Sequence, residues 1–237
     1  IQLDIGKMKS LRRPVVYNGV TYPEYEMDFY TSDVYSARFK DRIMKPARER
    51  AGGFSYLRFH LPNGQASQHK ILAETFPDLL SKSPLVSHYD LKIGRDRHEF
   101  KTPTGFTFLC SQVCPDHIDN NKRNNHHTNL MIVTQAENIT KTGPRKGKEY
   151  KGTYKTKHSK LRARLQWDNI LDKNGKRFLT CKTFKTEEEA ALGYNTVLEE
   201  SLLTIWGPDL GPKMYDLAYK NVIETPVQQE LILNWDI

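Results

Sequence analysis

The chain has 237 residues, 38% of them apolar and 27% charged, the balance of a soluble globular protein long enough for one large domain or two small ones. No apolar run approaches the roughly 20 residues of a membrane span. The opening IQLDIGKMKSLRRP lacks the apolar stretch of a signal peptide, so the expected location is the cytoplasm. Three cysteines, Cys110, Cys114 and Cys181, form no C-x-x-C pair, which argues for a reducing compartment and against both a disulfide framework and a structural zinc site. The formal net charge is +8, yet residues 141–185 hold 15 Lys and Arg against 3 Asp and Glu, and the remainder is slightly acidic. Charge gathered in one segment is the expected footprint of a phosphate-bearing partner.

Along the chain, residues 15–60 read as short strands and turns: SDVYSARF and SYLRFHL are rich in aromatic and β-branched residues, and Gly52-Gly53 punctuates between them. QHKILAETFPDLL changes to a helical period, with Leu72, Phe76, Leu79 and Leu80 on one face and Pro77 ending or kinking the helix. Residues 81–110 return to strand-and-turn chemistry. NLMIVTQAENI reads as a buried strand running into a helix that starts near Thr134, where Thr134 and Glu137 have capping-box spacing. KTGPRKGKEYKG, residues 141–152, is linker-like. Beyond it KLRARLQW alternates: Lys160, Arg162, Arg164 and Gln166 point one way, Leu161, Ala163, Leu165 and Trp167 the other. Asn174-Gly175 marks a hairpin tip, RFLTCKTF supplies the returning strand, and GTYKTK can pair as a third. TEEEAALGYNTVLEESL is a helix with a capping box from Thr186 to Glu189 and an apolar stripe of Ala190, Ala191, Tyr194, Val197, Leu198 and Leu202 to cover the sheet.

The chemistry concentrates in residues 114–138, CPDHIDNNKRNNHHTNLMIVTQAEN. A hairpin followed by a helix can fold Asp116 and Asn138 back towards each other. One charged and one neutral oxygen suit a hard cation such as Mg²⁺, which keeps waters and takes further oxygens from a phosphate substrate. His117, next along the strand, projects differently from Asp116 and is suited to act on a water. Together these are the needs of metal-assisted phosphodiester hydrolysis. His126 and His127 are expected to cap the hairpin turn or touch phosphate, and His69 to be a packed or hydrogen-bonded histidine. The acidic run at 187–189 is a solvated first helical turn.

The order D-H-I-D-N-N-K-x-N-N-H-x-x-N-L-x-x-V-T-x-x-E-N resembles the ββα-metal site of HNH nucleases, in the H-N-N form of phage and intron-encoded homing endonucleases. QHKILAETF resembles that family's helix, and YEMDFYTSDVYSARF with the strands after it resembles its N-terminal strand module, so the likeness spans roughly residues 22–139. The resemblance implies that His117 is the general base, that Asp116 and Asn138 hold a divalent metal (Mg²⁺, with Mn²⁺ as the alternative), and that Asn129 braces the hairpin or orients the base. It implies double-stranded DNA as substrate, products with 5′-phosphate and 3′-hydroxyl ends, and a homing role inside a bacterial or phage-infected cell. The stretch from about Ser87 to Val113 is longer than the family's usual connection. The downstream unit, through YKGTYKTKHSKLRARLQ and CKTFKTEEEAALGYN, resembles the plant ethylene-response-factor type of DNA-binding domain. That likeness implies a three-stranded sheet laid in the major groove, with Lys151, Tyr154, Arg162, Arg164, Gln166, Arg177 and Lys182 facing DNA. Arg162 and Arg164 are its candidates for guanine contacts. DNILDKNGKR departs from the pattern and is expected to lengthen the turn after the second strand.

The expected fold class is α+β. A strand module and ββα-metal core occupy residues 1–139, a basic linker 140–149, a three-stranded antiparallel sheet packed on one helix 150–222, and a tail 223–237. The expected function is a metal-dependent DNA endonuclease, with a restriction-type nuclease or a DNA-binding regulator on a non-catalytic core as alternatives. Monomer and homodimer both remain open.

Overall fold

A computed structural model describes residues 10–39, 42–47, 56–157 and 160–223. Gly52-Gly53 and most of the tail lie outside those residues. Helices and mainly antiparallel sheets together make the fold α+β. By backbone contacts the chain divides into two units, one drawn from residues 1–96 and 111–135, the other from residues 97–110 and 136–237. No helix among the described residues is long and apolar enough to cross a membrane.

The first unit opens with an antiparallel meander of β1 (Arg12–Tyr17), β2 (Val20–Asp28), β3 (Val34–Ser36) and β4 (Arg42–Ile43), paired in that order. Asn18 and Gly19 form the β1–β2 turn, both at positive φ (52° and 73°), as two-residue hairpins prefer. A small hairpin, β5 (Arg58–Leu61) and β6 (Gly64–Ser67), feeds α1 (Gln68–Thr75). The helix buries Ile71, Leu72 and Ala73 completely and stops at Thr75, two residues before Pro77. Its apolar face therefore reaches Phe76 but not Leu79, which lies past the helix and is 42% exposed, contrary to the expected four-residue face. Short β7 (Ser81–Lys82) and α2 (Pro84–His88) follow. Pro84 stands at the first helical position, where its missing N–H costs nothing, and the sequence reading placed no helix there.

The chain next contributes the hairpin β8 (His98–Lys101) and β9 (Thr107–Cys110) to the second unit. It returns for β10 (Val113–His117) and β11 (Leu130–Thr134), an antiparallel pair with β7 parallel on the far edge of β11. α3 (Gln135–Lys141) begins directly after β11, and its residues from Ala136 onward belong to the second unit.

The second unit is built on β12 (Thr153–Lys155), β13 (Leu161–Leu171) and β14 (Arg177–Phe184), with α4 (Glu187–Leu217) across one face. The three expected strands are present, but the sheet has five. β13 does not give way to a longer turn at Asp168. It continues through an irregularity after Trp167 to Leu171 and pairs there with β9, Ile170 opposite Phe108 and Leu171 opposite Thr107. The 81–110 stretch, expected to be strand and turn, therefore supplies two strands of this sheet. Burial explains why: Phe108 and Ile170 are almost completely covered, and the Phe108 ring meets Trp206 edge-on at 5.3 Å. Each such side chain contributes about 1.5–3 kcal/mol on leaving water.

α4 begins with the expected capping box, Thr186 and Glu189 bonding reciprocally. Its stripe of Ala190, Ala191, Tyr194, Val197, Leu198 and Leu202 is fully buried. Gly207, at φ 73° and followed by Pro208, breaks the helix in two. Room for Tyr194 comes from Gly152: a Cβ there would sit 2.1 Å from the Tyr194 ring, and its φ is +74°.

Candidate active site and nucleic-acid interface

β10 alternates as a strand buried on one side should. Val113, Pro115 and His117 are buried, while Cys114 and Asp116 are half-exposed on the other side. Asp116 and His117 thus project from opposite faces of the strand. The turn from Ile118 to Asn129 is held mostly by its own amides. Asn129 Nδ2 donates to Asp119 Oδ1 (2.8 Å) and to the Asn124 carbonyl (2.7 Å), while its Oδ1 accepts from the Asp119 N–H (3.1 Å). Asn124 and Asn129, with the Asn121 N–H, hold the exposed Asp119 carboxyl below its ordinary range. His126 caps a 3-10 turn at His127–Asn129 through its Nδ1. These bonds tie Asn129 to the hairpin turn.

His117 is 3% exposed and packed among polar and aromatic groups. Its Nε2 lies 2.8 Å from Asn125 Oδ1, and Asn125 Nδ2 donates to Gln68 Oε1 at 2.7 Å. The His69 ring stands 5.1 Å from the His117 ring and 4.6 Å from Tyr56, and the Lys122 ammonium lies 5.2 Å over Tyr56. Burial first, then the proximity of His117, pushes the His69 imidazole down to about 3, so it is neutral and packed, as expected. Gln68, Asn125 and Tyr56 were not singled out in the sequence. The one available signal was an amide at a helix position flanked by core residues.

Asn138 sits half-buried on α3, where its carbonyl accepts from the Thr142 N–H (3.1 Å) and hydroxyl (2.8 Å). Among the described residues no three His, Cys, Asp or Glu side chains cluster as a metal cage. Asp116 offers a carboxylate oxygen and Asn138 an amide oxygen, the donor types that hard cations take alongside water and phosphate.

In the second unit, Arg162, Arg164 and Gln166 share the open face of β13, opposite Thr183, Cys181 and Leu179 of β14, with Tyr154 of β12 across from Arg162. Neighbours tie this row together. Arg164 donates to Gln166, Gln166 to Asp168 (2.8 Å), and Arg177 pairs with Asp168 at 3.1 Å. Two expected members stand elsewhere. Lys182 is opposite Ala163, on the side that α4 covers, and its ammonium pairs with Glu200 at 2.7 Å. The Lys151 ammonium donates to the Ile139, Thr140 and Thr142 carbonyls (3.0, 2.6 and 2.6 Å), closing the C-terminal end of α3, and burial pushes it down to about 8. A groove of about 580 Å³ beside the edge of β13 adds Arg145, Lys148, Tyr150 and Trp167, which the sequence reading did not select.

The chain is similar to a protein of Acanthamoeba polyphaga mimivirus named "Uncharacterized HNH endonuclease L560", at 28% identity over 134 residues, covering 51% of this chain and 67% of the relative. No family model matches the chain. No solved structure matches it either.

Proposed function

We propose that this chain is a metal-dependent DNA endonuclease of the HNH type, with His117 as general base. The observation that carries the reading is a buried, hydrogen-bonded histidine at the end of β10, directly after Asp116, in a chain half of which is similar to a protein named an HNH endonuclease. His117 takes a proton from a water, and the resulting hydroxide attacks phosphorus in line with the departing 3′ oxygen. The P–O3′ bond breaks, leaving a 5′-phosphate and a 3′-hydroxyl. A divalent ion held through Asp116 and Asn138 would supply Lewis acidity at the scissile phosphate. Tyr154, Arg162, Arg164, Gln166 and Arg177 would hold the duplex, arginines being suited to guanine edges and phosphates alike. Their mutual bonds and the Asp168 pairing must yield to DNA, so this face exchanges internal contacts for external ones. A homing role in a phage or mobile intron rests on the family resemblance alone.

Supercoiled plasmid incubated with Mg²⁺ should yield nicked or linear product that EDTA suppresses. If DNA is bound but never cut under any divalent metal, the chain is instead a DNA-binding protein on a non-catalytic core.

A further inference from the structure

We infer that Ser32, Gln68 and Asn125 form a one-way hydrogen-bond relay that fixes which nitrogen of His117 carries its proton, making Gln68 and Asn125 positioning residues for the base. This rests on the reading of His117 as the base.

The direction is set where it cannot be reversed. The Ser32 carbonyl oxygen has no proton to give, so the Gln68 group 2.5 Å from it is the Nε2 donor. Gln68 then turns its Oε1, an acceptor, towards Asn125, which must donate from Nδ2. That leaves Asn125 Oδ1, again an acceptor, facing His117 Nε2 at 2.8 Å. Nε2 must therefore carry a hydrogen, and the lone pair of the neutral ring lies on Nδ1. Flipping either amide would bring two donors or two acceptors face to face in a buried place, leaving their hydrogen-bonding groups unmet. Gln68, Asn125 and His117 are 7%, 5% and 3% exposed, leaving little access for water to compensate.

The start of the relay is itself held. Ser32, in the β2–β3 turn, adopts φ 59°, a left-handed conformation uncommon for serine. Its N–H donates to the Asp28 carbonyl at 3.0 Å, and its hydroxyl donates to the Asn125 carbonyl at 2.7 Å. The N-terminal meander thus grips both ends of Asn125's link to Gln68, giving that sheet a part in the site. When Nδ1 takes the water proton, one water O–H bond is exchanged for an N–H bond. The positive ring then donates a charge-assisted hydrogen bond from Nε2 to Asn125 without any reorientation.

Histidine ¹⁵N NMR of the full chain, free of DNA and metal, tests this directly. The neutral His117 ring should be in the Nε2–H form; the Nδ1–H form or a mixture of both overturns the relay. Gln68→Glu in its protonated state keeps a donor for Ser32 and an acceptor for Asn125, so the tautomer should persist. Gln68→Met severs the relay, so His117 should become a mixture of tautomers. Single-turnover cleavage should then fall about 10–100-fold with DNA affinity unchanged. A Met variant that keeps the pure Nε2–H ring also overturns the relay. Where a variant fails to fold, the wild-type spectrum decides alone. An inactive wild-type chain with the Nε2–H ring would defeat the nuclease reading while leaving the relay standing. An active chain with the other tautomer would do the reverse.

Discussion

The surroundings of His117 and the open face of β13 carry the two halves of the proposed function, and they are organised in opposite ways. His117 is buried, and the amides around it are bonded in sequence back to the β2–β3 turn. Arg164, Gln166 and Arg177 are exposed, joined to one another and to Asp168 by bonds that water or DNA can replace. A base that must act in one geometry gains from groups ordered before substrate arrives. A surface that meets phosphates and base edges needs charges that can leave their neighbours cheaply, and exposed ion pairs cost at most about 1 kcal/mol to break. Rigidity belongs to the catalytic half and exchangeability to the binding half.

The widest separation between the halves should come from His117→Ala. Cleavage should drop about 10²–10⁴-fold, the usual worth of a general base, while DNA affinity in gel shift stays the same. Equal loss of both would make His117 structural. Next is Asn129→Ala, which removes three hydrogen bonds, one of them to the Asp119 carboxylate. Urea unfolding should show a loss of about 2–3 kcal/mol; no loss would mean the turn does not depend on its own amides. His69 adds a pH dependence. It is neutral in the fold with a pKa of about 3 but ordinary, near 6.5, when unfolded. Below pH 6.5 the unfolded chain therefore binds a proton that the folded chain refuses. Stability contributed by neutral His69 should fall by about 2 kcal/mol between pH 7 and pH 5. His69→Phe should flatten that part of the profile, and an unchanged slope would assign it to another group.

Much of this was legible in the sequence, for physical reasons. Alternation in KLRARLQW, the Asn174-Gly175 tip and the stripe on α4 are local patterns, and local patterns survive into β13, its turn and the buried face of the helix. The Asp116–His117 pair and the bracing Asn129 were visible as an ordered motif. What could not be seen is non-local. β9 joins β13 through Phe108 and Ile170, 62 positions apart, and a short apolar run shows no sign of which strand it will meet. The acceptors of Lys151 are backbone carbonyls at the end of α3, which carry no residue signature. Gln68 and Asn125 matter through the direction of their amides, which only the folded partners set. Lys182 is different, because its side was readable: directly opposed strand residues share a face, and a hairpin centred on Asn174-Gly175 sets Lys182 opposite Trp167 on the apolar side, from which the register shift after Trp167 moves it to Ala163 on that same side.

That pairing yields the finest test of the binding half. Arg162 and Lys182 are both basic residues of one sheet, on opposite sides of it. If DNA lies on the open face, Arg162→Ala should weaken binding to a preferred site by about 1–3 kcal/mol where the arginine reads a base. A phosphate role would instead weaken all sequences alike and lower the salt slope by about one. Lys182→Ala should leave affinity and salt slope unchanged and cost no more than about 1 kcal/mol of stability through the exposed Glu200 pair. Salt-dependent titrations of both variants against the same duplex decide it. If Lys182→Ala loses as much affinity as Arg162→Ala, the DNA does not lie on the open face alone, and the side of the sheet that carries α4 takes part in recognition.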